Sequence, residues 1–396
     1  MSEIRPFRGL RYTGAAEPRI APPYDVIVDA ERDRLAEEPE NIVHLTLPPG
    51  PSEHRDYASA ARLLREWIER KVLARDAEES LYVLEETTVD GRVRRGFLAA
   101  VRLAQYSERV ILPHERTMRG PKQDRLLLTR EVRANLEPLF FLYEDRENAL
   151  RELWTSPLVQ RPLVVCKGPD GTALKLWADS DPGRLASVRA HLQERSLIIA
   201  DGHHRYETMV AYRDECRAAG ASAGDAGPEF VMAYLVNAFD PGSRVQAIHR
   251  LLYGDVANPD EVLRGAGFGI EELPGTPTGA ELVTRLAQGP LERCRFAFVR
   301  PGGSAFLAHR ARDKQLDVEV LHAELLPALG GELDFDAQPD RLVEELRARE
   351  ATLGILLHPI EPEALFRVVE AGAILPQKST YFAPKIPTGL VLRTFE

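Results

Sequence analysis

The sequence predicts an α+β protein, mixed sheets with helices packed on them, and three observations carry that reading. Strands come as hairpins: SLYVLEETTV and RRGFLAAVRL flank Asp90-Gly91, and LVVCKGPDGTALKLW turns at Asp170-Gly171, the dipeptide that accepts the positive φ of a tight turn. Helical patterns are scattered among the strands rather than alternating with them, which argues against a doubly wound sheet. Finally, 396 residues with 44% hydrophobic and 28% charged content form an ordinary globular composition, enough for two to three domains of roughly 150 residues.

Along the chain, residues 54–75 place Tyr57, Ala61, Leu64, Ile68 and Val72 at helical spacing with charges between them, so one amphipathic helix is expected. The first hairpin follows and runs on to VILP as a meander of strands. KQDRLLLTREVRA reads as a helix, PLFFLYE as a buried strand, and PGRLASVRAHL, after the second hairpin, as a helix. Strand SLIIA, loop DGHH and helix RYETMVAYRDECRAA come next, then the surface loop GASAGDAGPE. FVMAYLV and VQAIHRLLY read as strands. Beyond them come a helix near 259–266, strands RCRFAFVR and SAFLAHR, helices near 318–327 and 340–350, and strand ATLGILLH. Soft points near 150 and near 256–260 divide the chain into regions 1–150, 151–256 and 257–396.

Several function classes are excluded. Lys+Arg 51 against Asp+Glu 61 gives a net charge of -10, the wrong sign for a nucleic-acid binder. Cys166, Cys216 and Cys294 show no C-x-x-C spacing, so neither a zinc ribbon nor a disulfide framework is expected, and a reducing compartment fits. The opening MSEIRPFRGLRY has no apolar signal segment, and no run approaches the ~18 apolar residues of a membrane span, so a cytoplasmic protein with no membrane partner is expected.

Chemistry concentrates in four segments. In LIIADGHHRYE an apolar strand runs into a glycine turn that opens a helix, leaving main-chain N–H groups and a positive dipole end for a phosphate. Asp201 there caps the helix or holds Mg²⁺, Gly202 lets the backbone approach closely, and His203, His204 and Arg205 supply donors. If a phosphate held there is transferred, Asp201→Asn, which removes charge at a helix start without removing packing, is expected to abolish the transfer and leave stability nearly unchanged. In LPHERT, Glu115 stands between His114 and Arg116 with Lys122 and Arg125 following, a general base beside a phosphate clamp or a solvated charged loop. Near the C-terminus, QKSTYFAPKIPTG gathers Lys378, Ser379, Thr380 and Lys385 on a proline-stiffened loop, all capable of phosphate contacts. In APPYDVI, two prolines present Tyr24 and Asp25, the latter a structural turn residue or a carboxylate ligand.

RPFRGLRY, APPYDVI, LPHERT with PKQDRL, ADGHHRYET and QKSTYFAPKIPTGL, in this order, resemble a prokaryotic family catalogued as domain of unknown function ten-fifteen. The core DGHHRYE also resembles the D-G-H-x-R turn of the ParB/sulfiredoxin superfamily, which includes free-serine kinases and CTP-binding partition proteins. That resemblance implies a strand-turn-helix phosphate-binding core in which Asp201, Gly202, His203, His204 and Arg205 hold nucleotide phosphates. It implies a kinase that uses Mg²⁺ with ATP or ADP and phosphorylates a small-molecule hydroxyl, free L-serine by analogy. Asp201 and His204 are then catalytic candidates together with Glu115, which is read from its own surroundings and not carried over from the superfamily, with Lys122, Arg125 and Lys378 stabilising the transferred charge. Two alternatives stay open: a nucleotide-switched binding protein, and a metal hydrolase using Asp25, His114, Glu115, His203 and His204.

Overall fold

The structure is a computed structural model describing residues 1–52, 54–115, 120–156, 160–220, 227–290 and 292–395. Its packing divides the chain into two units, Met1–Arg244 with Pro384–Glu396, and Val245–Ala383. This differs from the three expected regions. No boundary falls near 150 because strands from both sides of that point share one sheet, and the last residues return to the first unit.

In the first unit the described residues place nine strands in that sheet. They are Ile4–Arg5 (β1), Leu81–Thr87 (β2), Val93–Arg102 (β3), Ile111–Leu112 (β4), Leu139–Tyr143 (β5), Val164–Lys167 (β6), Ala173–Asp179 (β7), Leu197–Asp201 (β8) and Phe230–Asn237 (β9). The order across the sheet is β4-β8-β5-β9-β3-β2-β7-β6, with β1 paired to β3. Both Asp-Gly hairpins form as expected, with Gly91 at φ 82° and Gly171 at φ 83°. The expected meander does not: β4 leaves its sequence neighbour and pairs parallel with β8, Ile111 opposite Leu197.

Helices Tyr57–Glu69 (α1), Gly120–Val132 (α2), Pro182–Gln193 (α3) and His203–Ala218 (α4) form in the expected segments, but α1 ends at Glu69, short of Val72, with Leu73–Arg75 a strand, and α4 starts two residues early and shortens the DGHH loop to Gly202 alone. Tyr206 and Met209 of α4 join Leu139, Phe141, Leu197 and Ile199 in the main core. Leu64 and Trp67 of α1 share a second core with Leu128 and Val132 of α2. In the GASAGDAGPE segment, residues 221–226 lie outside the described residues.

A buried ion pair ties the returning C-terminal segment to the sheet. Arg94 on β3 donates to Glu86 on β2 at 2.6 and 2.8 Å, Tyr234 on β9 donates to the same carboxylate at 2.8 Å, and Arg94 also donates to the Pro384 carbonyl at 2.6 Å. Because the pair has no access to water, losing one partner strands the other charge. Glu86→Gln is therefore expected to cost about 3–5 kcal/mol in urea unfolding. A loss below about 1 kcal/mol would mean the charge is compensated elsewhere.

The second unit contains one six-stranded antiparallel sheet: His249–Val256 (β10), Gly269–Glu272 (β11), Arg293–Val299 (β12), Ala305–Ala311 (β13), Gly330–Asp336 (β14) and Leu353–Leu357 (β15), in the order β11-β13-β12-β15-β10-β14. The expected strand VQAIHRLLY splits here, since Val245–Gln246 pairs separately with Tyr381–Phe382. Two helices, Gly279–Gln288 and Pro339–Ala348, supply Leu282, Leu286, Leu342 and Leu346 to its core.

Candidate functional site

β8 is buried from Leu197 to Ala200 and ends at Asp201. Gly202 turns the chain in the left-handed conformation, φ 92° and ψ 29°, and α4 begins at His203 with no side chain capping its first turn. A Cβ at Gly202 would stand 2.8 Å from Leu139 Cδ2 and 3.1 Å from the Arg205 guanidinium. Glycine is thus needed for both conformation and space, and Gly202→Ala is expected to cost about 2 kcal/mol, read as a lowered urea midpoint.

Asp201 sits at the centre of a charge network. One carboxylate oxygen accepts from Lys385 Nζ, and the other from Arg205 Nη2 at 2.8 Å. Arg205 lies one helical turn further on, so its side chain reaches back to Asp201. Its Nη1 donates to the Pro138 carbonyl at 2.6 Å and stands 3.9 Å from Glu137. Glu137 in turn accepts from the Tyr24 main-chain N–H at 2.9 Å and from Thr388 Oγ1 at 3.1 Å. Burial opposes ionisation of Asp201, yet Lys385 and Arg205 outweigh it and hold the carboxyl down at about 2. At Glu137 burial prevails and moves the carboxyl up despite Arg205 and Arg125.

A histidine pair lies beside this network. His114 Nδ1 donates to the Ile199 carbonyl at 2.6 Å, and the His114 main-chain N–H donates to His203 Nε2 at 3.4 Å. The two rings meet edge to face at 4.7 Å. Burial moves both pKa values below the ordinary histidine range, so both rings are neutral at pH 7. A neutral His203 that accepts at Nε2 carries its proton on Nδ1, which faces the Glu115 carboxylate at 3.8 Å. His204 is partly exposed and lies in the field of Lys122, Glu207, Glu115 and Asp25, with burial again lowering its pKa first. Lys122 is ion-paired with Glu207.

These histidines make stability pH-dependent with a definite sign. Their folded pKa values are depressed, so their contribution is complete above the unfolded value of about 6.5 and is lost as pH falls below it. Each buried ring is expected to lower the unfolding free energy by up to about 1.4 kcal/mol per pH unit in that range. Urea unfolding at pH 7.5, 6.5 and 5.5 reads this slope. His203→Gln should flatten it, and an unchanged slope would mean that His203 is protonated in the fold.

The family described as protein of unknown function (DUF1015) matches residues 4–325. The chain belongs to this family. No curated protein matches the DUF1015 chain. Among solved structures, it is similar to a conserved hypothetical protein from Pyrococcus furiosus at 15% identity and TM-score 0.35, over 72% of this chain and 92% of that one. A free serine kinase in complex with AMP aligns at 15% identity and TM-score 0.36, over 79% and 93%. C-terminally truncated SbnI from Staphylococcus aureus aligns at 11% identity and TM-score 0.37, over 75% and 87%.

In this DUF1015 protein several expected residues meet: Asp201, Gly202, His203, His204, Arg205, Lys385, Glu115 and Lys122 all belong to the first unit, with Tyr24 held against Glu137. Others are corrected. Arg125 is not a phosphate clamp, because its guanidinium is buried, paired with Asp124, bonded to the Thr46 carbonyl at 2.8 Å and laid over the Tyr24 ring at 4.2 Å. Lys378, Ser379 and Thr380 belong to the second unit, so the expected C-terminal loop divides at residue 383. Ser379 Oγ there donates to the Pro376 carbonyl at 2.5 Å.

Asp201 does not cap α4, and its carboxylate does not fit a Mg²⁺ ligand, since each oxygen already accepts from a cationic side chain. The metal-hydrolase set fits no better: His114 and His203 direct nitrogens at a carbonyl and a main-chain N–H, and among the described residues no group of three or more His, Cys, Asp or Glu is placed to hold a metal ion. Arg116 and Thr117 of LPHERT lie outside the described residues. Glu137 was not anticipated; a lone glutamate before a proline carries no signal of its own. Among the described residues no helix is long and apolar enough to cross a membrane.

Proposed function

We propose that this DUF1015 protein binds the phosphates of ATP or ADP at the Asp201–Gly202–His203 turn, in a ParB/sulfiredoxin-like manner, and transfers a phosphoryl group to the hydroxyl of a small molecule. The observation that carries the reading is convergence: the uncapped start of a 16-residue helix, Lys385 and Arg205 on Asp201, and Glu115 facing a neutral His203 all come to one turn. Main-chain N–H groups and the dipole end favour an anion there, and Lys385, with side-chain exposure of 21%, is accessible to it.

In this reading Glu115 takes the acceptor's proton as the acceptor oxygen bonds to phosphorus and the bond to the departing nucleotide oxygen breaks. Lys385 and Arg205 stabilise the charge that develops on the phosphoryl oxygens, and Asp201 keeps both cations in place. His203 orients Glu115, while His204 and Lys122 border the acceptor side. Incubation with ATP or ADP, followed by phosphorus NMR across hydroxyl acceptors beginning with L-serine, tests the activity. A new phosphomonoester is the expected result, and its absence with every acceptor would contradict transfer. No feature among the described residues favours the nucleotide-switch alternative.

A further inference from the structure

We propose that the first unit carries a second anion site, separate from the Asp201 turn and independent of the function assigned to it, which binds a compact polyanion bearing phosphate or carboxylate groups. The site is a cavity of about 420 Å³ where β1, the start of β9 and the C-terminal segment meet. Among the described residues, five arginines line it, Arg5, Arg8, Arg75, Arg189 and Arg393, with one lining carboxylate, Glu79. In a chain of net charge -10 this is a local excess of positive charge, since Arg8, Arg75, Arg189 and Arg393 share the cavity with one lining carboxylate, Glu79, among the described residues.

The arginines are positioned mainly by neutral groups. Arg393 is buried, with 7% of its surface exposed, and donates to the Phe230 carbonyl at 2.9 Å, the Gly227 carbonyl at 3.0 Å and Asn135 Oδ1 at 3.3 Å. Burial lowers its pKa to about 10, the response of a desolvated cation with no carboxylate beside it. Arg75 donates to Thr394 Oγ1 at 2.8 Å, and Arg189 on α3 donates to the Ile4 carbonyl at 3.2 Å. Among the described residues Arg5 pairs with the Glu3 carboxylate at 2.6 Å, and its guanidinium also lies over the Phe230 ring at 4.5 Å. Glu3 is shared with Arg102, which donates to it at 2.8 Å. The guanidinium groups of Arg75, Arg189 and Arg393, held in this way by carbonyls, an amide oxygen and a hydroxyl, retain their charge for an incoming anion and lose little freedom on binding it. The cavity volume suits a small ligand with two or three anionic groups.

The test titrates sodium tripolyphosphate, and in parallel citrate, into the full chain carrying Lys385→Ala, so that the Asp201 turn does not contribute, in buffered potassium chloride at physiological ionic strength. Saturable binding of one anion per chain is expected, weakened at least tenfold by Arg8→Glu with Arg75→Glu. Tighter tripolyphosphate binding identifies a phosphate ligand, and tighter citrate binding a carboxylate one. Arg189→Gln, which removes one exposed guanidinium, should weaken binding at least threefold and keeps the test readable if the double variant does not fold. No saturable binding of either anion, or binding that these substitutions leave unchanged, overturns the proposal.

Discussion

Asp201→Asn is expected to lower the unfolding free energy by about 3 kcal/mol at pH 7, contrary to the expectation from sequence that stability survives it. The reason lies in its neighbours. The Asp201 side chain is 17% exposed, Lys385 21% and Arg205 11%, so removing the anion leaves two poorly solvated cations close together. Breaking a buried pair costs about 3–5 kcal/mol, and the partial exposure, with Glu137 still 3.9 Å from Arg205, places this case at the low end. Linkage gives a similar figure. A carboxyl held at about 2, against an ordinary 3.8, contributes about 2–3 kcal/mol that is complete above pH 4 and lost as pH falls through the folded value. Urea unfolding of both proteins at pH 7 and pH 3 reads the effect directly. The difference should shrink at the lower pH, and a difference below about 1 kcal/mol at pH 7 would show that Lys385 and Arg205 do not depend on Asp201.

Glu115→Gln is expected to slow phosphoryl transfer by about 10²–10⁴-fold, the usual contribution of a positioned proton acceptor, while leaving nucleotide binding and stability nearly unchanged. The glutamine keeps the shape but cannot take the proton, and the native side chain is 27% exposed, so little packing is lost. His203→Gln separates proton acceptance from positioning. It should slow transfer less than Glu115→Gln, because it removes the donor that faces Glu115 and leaves the proton acceptor in place. A Glu115→Gln variant within threefold of the native rate would assign the proton to another group.

The residues of the candidate site were more legible than their partners. DGHH announces itself because an apolar run, a glycine and four polar groups follow one another, and the structure places a left-handed Gly202 and a helix start there. Alternation and the Asp-Gly turns made the hairpins readable, and the buried run Leu139–Tyr143 needed no partner to be recognised. What the sequence withheld is long-range. Ile111 and Leu112 pair with Leu197 and Ile198, and two residues are too few to specify a register. Arg125 looked like a phosphate ligand because its partners, Thr46 and Tyr24, lie far away along the chain. The division of the C-terminal loop depends on Arg94 reaching Pro384, a contact that no local pattern encodes. By contrast, the helix Gly279–Gln288 was readable and overlooked, since Thr278 and Glu281 form a capping box at its start.

Thermal unfolding of the native chain and of Lys385→Ala against ATP, ADP, CTP and GTP tests most directly whether the Asp201 turn binds nucleotide phosphates. A ligand held only by the folded state adds about 2.7 kcal/mol at a hundred times its Kd, enough to raise the midpoint measurably. ATP or ADP should raise the midpoint of the native chain, and Lys385→Ala should abolish most of that rise. No shift with any nucleotide, or a shift that survives Lys385→Ala intact, would contradict the account.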